Sequence, residues 1–171
     1  IKQHPRPPDK VIQELVDEIE TLLEAGQIPE ALEVFNGLHP MDQGEILEEL
    51  PCKFRPAFLA ELDALVLADI LEFMEPEESA ALIGDRLPAE LAGVLNFTDT
   101  DVAVDFLQQI PEDNQLETLE AMSDATDVSK LLQYQENTAG GLMTPDYPVF
   151  IQSTTTPNAL DQLRLLGPDA D

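Results

Sequence analysis

Counting in steps of twelve from Phe35 meets Leu47, Leu59, Leu71, Ile83, Leu95, Leu107, Leu119 and Leu131, nine large apolar positions without a gap. Three residues beyond each lies a second series: Leu38, Leu50, Leu62, Met74, Arg86, Thr98, Ile110, Met122 and Tyr134. Only Arg86 and Thr98 break its apolar or amphipathic character, and Leu87 and Phe97 stand one step away as substitutes. Residues three apart share a helix face, so the pairs read as helical stripes. One continuous helix cannot carry them. Twelve residues at about 100° each make three turns and a third, so the stripe would wander round the cylinder. The chain must break and restart in every unit.

The breakers are present. Pro40, Pro51, Pro76, Pro88 and Pro111 fall at or near unit starts, and Asp63, Asp99 and Asp124 mark others. Proline in a first turn and aspartate at an N-cap are both helix-start signals. The reading is all-α: a right-handed superhelical stack of helices of about 8–10 residues, an α-solenoid whose short members are stable only against their neighbours. Upstream, "IKQHPRPP" reads as an extended tail. Asp9 then offers a cap for a helix running to a stop at Gly26, and Pro29 opens a second helix that closes near Gly37. Hydrophobic content of 43% supports a core, and aromatics at 5% with no Trp leave Leu, Ile, Val and Ala to build it.

Thirty-five acidic residues against eight basic ones give a formal charge of −27. Such a surface repels nucleic-acid phosphates and anionic lipid, and attracts cations or a basic partner. Cys52 is the single cysteine, which fits a reducing, intracellular setting. No apolar run is long enough to span a membrane, and no signal-peptide pattern opens the sequence. The start at Ile1 and the abrupt end after "NALDQLRLLGPDAD" suggest a piece of something longer.

Among the carboxylates, "FTDTDVAVDFLQQI" is the most pointed stretch. Asp101 and Asp105 are four apart and share one helix face, where like charges cost roughly 0.2–0.5 kcal/mol. Asp99 and Asp101 are also explained by the cap and the helix dipole. Oxygen donors without His or Cys suit Mg²⁺ or Ca²⁺, and Mg²⁺ keeps several waters, so a weak site needs few carboxylates and a second surface. There is no EF-hand loop, Ser/His/Asp signature, or phosphate-cradling glycine loop. His4 and His39 have no partners at ligand spacing and read as structural or incidental.

The stretch "YQENTAGGLMTPDYPVF" ends the repeats. Gly140 and Gly141 allow a sharp helix end, Thr144-Pro145 sets a turn, "YPVFI" reads as a short strand, and "STTTPNALDQLRLL" reads as a cap and a helix with Pro157 in its first turn. "ENTAGGLMTPDYPVF" resembles the junction of MgtE-type magnesium transporters, where the helical N domain passes into the first CBS domain. "TDVAVDFLQQIP" and "LPAELAGVL" are similar to that family's N-domain repeats. The resemblance covers about residues 10–155, then only the opening of an incomplete α/β CBS segment.

The resemblance implies a non-enzymatic function. The family's proteins are homodimeric Mg²⁺ channels whose cytosolic N and CBS domains sense intracellular Mg²⁺ and close the pore when the ion bridges their acidic surfaces. It implies metal ligands at Asp69 in "LADILEFM", at Asp101 and Asp105, and at the backbone carbonyl of Gly141. It divides the chain into a tail (1–9), an acidic helical-repeat N domain (10–134), a junction (135–145) and the start of a CBS domain (146–171). The carboxylates expected from the second CBS domain, and the transmembrane pore, would be partners outside this sequence. Short-helix repeats also resemble the middle domain of the flagellar motor switch protein, so a protein-binding scaffold is the alternative.

Overall fold

A computed structural model describes residues 9–134, 138 and 149–166. The described residues form helices and connections, with no strand among them. Two helices open the chain, α1 (Asp9–Glu24) and α2 (Ile28–Asn36). Seven follow in the repeat's rhythm: α3 (Pro40–Glu49), α4 (Arg55–Leu59), α5 (Ala64–Leu71), α6 (Pro76–Ile83), α7 (Pro88–Leu95), α8 (Thr100–Gln108) and α9 (Glu112–Ala121). Then come α10 (Thr126–Leu131) and, separately, α11 (Thr156–Leu166).

The starts of α3, α5, α6, α7, α8 and α9 fall on the twelve-residue grid. Pro40, Pro76 and Pro88 each occupy the first helical position, where a missing N–H costs nothing. Pro111 is instead the N-cap of α9. Asp63 is the N-cap of α5 with extended backbone, but its side chain makes no capping hydrogen bond. Asp124 lies one residue before the N-cap of α10, Ala125, and accepts from the Thr126 N–H at 3.0 Å. The expected length of 8–10 residues fails at α4, with 5, and at α10, with 6. After Pro51 the chain spends its first turn on a bond from the Phe54 N–H to the Pro51 carbonyl, so α4 begins late.

α1 ends as expected at Gly26, whose φ of 72° lies in the left-handed region that favours glycine. Gly26 N–H donates to the Leu23 carbonyl and Gln27 N–H to that of Leu22, which satisfies two of the helix's last free acceptors.

Most helices of the stack lean on the one two places along the chain. α1 packs on α3, α3 on α5, α5 on α7 and α7 on α9; in parallel, α6 packs on α8 and α8 on α10. Helices α1 and α2, and α3 and α6, also touch. The twelve-step series fills the space between. Phe35, Leu47, Leu59, Leu71, Ile83, Leu95, Leu107 and Leu131 are buried, and Leu119 is partly buried against the same core. Phe35 meets Phe58 edge to face at 5.2 Å between ring centres. Fully burying each such side chain stabilises the fold by about 1.5–3 kcal/mol.

The second series also holds its register as far as Met122, with Tyr134 at its end 48% exposed, and it departs from one expectation. Leu87 and Phe97 do not stand in for Arg86 and Thr98: they are 68% and 57% exposed. Arg86 and Thr98 themselves remain half-buried in the series, each giving its polar end to a carbonyl. Arg86 Nη2 donates to the Leu59 carbonyl at 2.6 Å, and the Thr98 hydroxyl to that of Leu95 at 3.1 Å. A buried polar group is tolerated when its hydrogen bond is made.

Beyond the repeats, Thr156 and Pro157 open α11 as expected. The short strand is not formed over Val149–Ile151, and Tyr147 and Pro148 lie outside the described residues. A strand requires a neighbour for its ladder, and no strand is described to supply one.

Candidate functional site

Asp101 is the second residue of α8 and is exposed. Its Oδ1 accepts from the next residue's N–H, Val102, at 3.1 Å. Asp105 lies one turn on, half-buried, on the same helix face. Asp69 is exposed on α5. It and Asp105 are each the sixth residue of their helix, three repeats apart, though Asp69 is the more exposed.

The fold pairs Asp101 with Asp105 but sets Asp69 apart. α8 packs against α6 and α10, while α5 packs against α3 and α7. Among the described residues, no group of three or more His, Cys, Asp or Glu side chains is disposed to hold a metal. Gly141 lies outside the described residues, as does His4. His39 has the structural place expected of it: its Nδ1 accepts from the Met41 N–H at 3.2 Å at the start of α3, and its ring meets Phe73 edge to face.

Sequence reasoning passed over a second acidic feature. A cleft of about 540 Å³ opens where α3 meets α6, with Glu45, Glu48 and Glu49 on one side, Glu75 and Glu78 on the other, and Met74 and Phe73 between. Partial burial, and then the charge and hydrogen-bonding of Glu78 with a further push from Glu45, raise the Glu48 carboxyl above its ordinary range; Arg55 opposes the shift. The signal available was positional. Glu45 occupies the same sixth helical place as Asp69 and Asp105, but nothing in the spacing shows that Glu78 faces Glu48.

These carboxylates are spread over separate helices and make no finished coordination sphere among the described residues. One or two carboxylates per helix suit a hard dication that retains waters, with further oxygens supplied from outside. No helix among the described residues is long and apolar enough to cross a membrane.

The chain is 29% identical over 164 residues to the magnesium transporter MgtE of Thermus thermophilus, covering 93% of this chain and 36% of that protein. It is 27% identical over 153 residues to MgtE of Bacillus subtilis, covering 88% and 34%. The chain thus spans about a third of the curated relatives it matches. Its fold superposes on the crystal structure of the soluble part of a magnesium transporter with a TM-score of 0.74 at 27% identity, covering 90% of this chain and 62% of that one. The cytosolic domain of the Mg²⁺ channel MgtE, solved in complex with ATP, gives 0.73 at 28% identity, covering 91% and 65%. The relatives are named as transporters rather than enzymes. Residues 38–137, the span of the twelve-residue repeats, match the family model of the MgtE intracellular N domain, and the chain belongs to that family.

Proposed function

We propose that this chain is the cytosolic Mg²⁺-sensing domain of a magnesium transporter, lying on the cytoplasmic side of the membrane and acting on a pore elsewhere in the same protein. The observation that carries the reading is the strongly acidic character of an MgtE-type N domain: a formal net charge of −27, with Asp69 and Asp101 exposed. The two-along packing of the helices supports reading residues 10–134 as one solenoid. Residues 135–145 would then be a hinge, and 146–171 the beginning of a CBS domain.

The mechanism is electrostatic. Two acidic surfaces brought within a few ångströms repel, and a dication between them turns the repulsion into attraction. Asp101 and Asp105 supply one half-site from α8, Asp69 another from α5, and Gly141 a carbonyl near the hinge. The remaining ligands are waters and carboxylates of the facing CBS domains, in a homodimeric whole. When Mg²⁺ falls, the surfaces separate and the N domain swings away, which releases the pore. The scaffold reading, which rested on the repeat alone, gains nothing from relatives that are magnesium transporters.

Limited proteolysis of the intact protein tests this. Millimolar Mg²⁺ is expected to protect the 135–145 hinge, and Asp101→Ala together with Asp105→Ala to remove most of that protection. Equal cutting with and without Mg²⁺ would overturn the reading.

A further inference from the structure

Six described residues carry a basic side chain, and four of them hold a carboxylate within ion-pair distance. Lys10 pairs with Glu14, Lys53 with Glu20 and Glu24, Lys130 with Asp127, and Arg164 with Asp161. Arg55 and Arg86 form no such pair among the described residues. In a chain with 35 acidic residues this is the reverse of what charge alone would arrange. Both line one cleft of about 710 Å³ running across α4, α5, α6 and α7.

The two guanidiniums are only partly satisfied. Arg55 Nη2 donates to the carbonyls of Glu48 and Leu50 at 2.7 and 3.0 Å, but its Nε is buried without an acceptor. Arg86 gives Nη2 to the Leu59 carbonyl. A guanidinium has five N–H donors in a planar fork, so each keeps capacity for an anion. Apolar lining comes from Leu59, Leu67, Leu82 and Val94. The volume falls in the range of about 300–1,000 Å³ typical of small-molecule sites, which combine apolar walls with a few placed polar groups. Asp85 and Glu90 also line the cleft and offset the two positive charges. That balance tolerates one added negative charge far better than two, which favours a carboxylate over a phosphate dianion.

We propose that this cleft binds an amphipathic monocarboxylate, its head held by Arg55 and Arg86 and its hydrocarbon body lying against the leucine and valine wall. The site involves none of the aspartates assigned to Mg²⁺ and is independent of that reading.

The test is a titration of octanoate into the 171-residue chain, with octan-1-ol as the uncharged match and no divalent ion present, followed by calorimetry and by NMR of the wall methyls and arginine Nε–H groups. Saturable octanoate binding is expected, with octanol weaker by about tenfold or more, the worth of a charge-assisted hydrogen bond. Arg86→Met should weaken octanoate by a similar factor. Because Arg86 also holds the Leu59 carbonyl, Gly93→Leu provides a second variant: a Cβ added there meets nothing within 4 Å, and the residue lies inside α7, where leaving glycine favours the helix. Gly93 lines this cleft on its α7 side, so a leucine there should narrow it, and a folded Gly93→Leu chain should lose octanoate binding. No saturable binding by the native chain, equal binding of octanol and octanoate, or undiminished binding to folded Gly93→Leu would each overturn the proposal.

Discussion

Glu48 carries a cost that the fold accepts. Its raised pKa arises from partial burial first, then from Glu78 and Glu45, with Arg55 relieving part of it. A carboxyl that binds its proton more tightly folded than unfolded makes stability fall as pH rises through the interval between the ordinary and the raised pKa. Glu48→Gln should therefore raise the melting temperature at neutral pH, and this gain should fade as pH drops below the usual carboxylate range. Thermal melts of both proteins between pH 4 and 7 would check this, and a gain independent of pH would contradict it. At this scale the sequence was legible where it repeats. Phe35 to Leu131 announce their burial because each recurs at one place in its unit. Glu48 and Glu78 do not, because periodicity specifies a face and not the neighbour that will meet it. Arg86 and Thr98 broke the apolar pattern yet hold its place, since a carbonyl lies within reach of each.

At the scale of the element, two glycines should behave in opposite ways. A Cβ on Gly84 would come within 2.4 Å of the Ala80 carbonyl oxygen and 3.3 Å of Ile110, and a backbone atom cannot step aside cheaply. Gly84→Ala should cost about 1–3 kcal/mol by overpacking. Gly93→Ala meets open space and should stabilise α7 by about 0.5–1 kcal/mol. Urea unfolding of the two variants checks both signs. Helix starts were readable from Pro40, Pro76 and Pro88, whose chemistry is local. Less readable were the clasps between successive helices. Gln43 donates to the Phe35 carbonyl and Gln115 to that of Leu107, each reaching eight residues back at 2.8 Å from an equivalent place in its unit. A glutamine reads as surface until the carbonyl it reaches is known, and Gln43 is only 4% exposed.

For the whole molecule, charge governs how stability responds to salt. A net charge of −27 repels itself, and that repulsion is screened as the Debye length contracts from about 30 Å at 0.01 M salt to about 8 Å at 0.15 M. The isolated chain should melt several degrees higher across that range of NaCl, each kcal/mol being worth about 2–4 °C in a domain of this size. A flat profile would show that the charges are already compensated. The candidate site was legible only in part at this scale. The pairing of Asp101 with Asp105 follows from helical spacing alone. That Asp69 belongs to another file of helices follows from the two-along packing, which a linear pattern does not disclose.

That packing bears on cleavage of the chain itself. The connection from α8 to α9 is bridged twice, by α7 on α9 and by α8 on α10, and the connection from α7 to α8 is likewise splinted by α6 on α8 and α7 on α9. A nick in either connection would leave two fragments still gripping each other, parted only when the contacts themselves are melted.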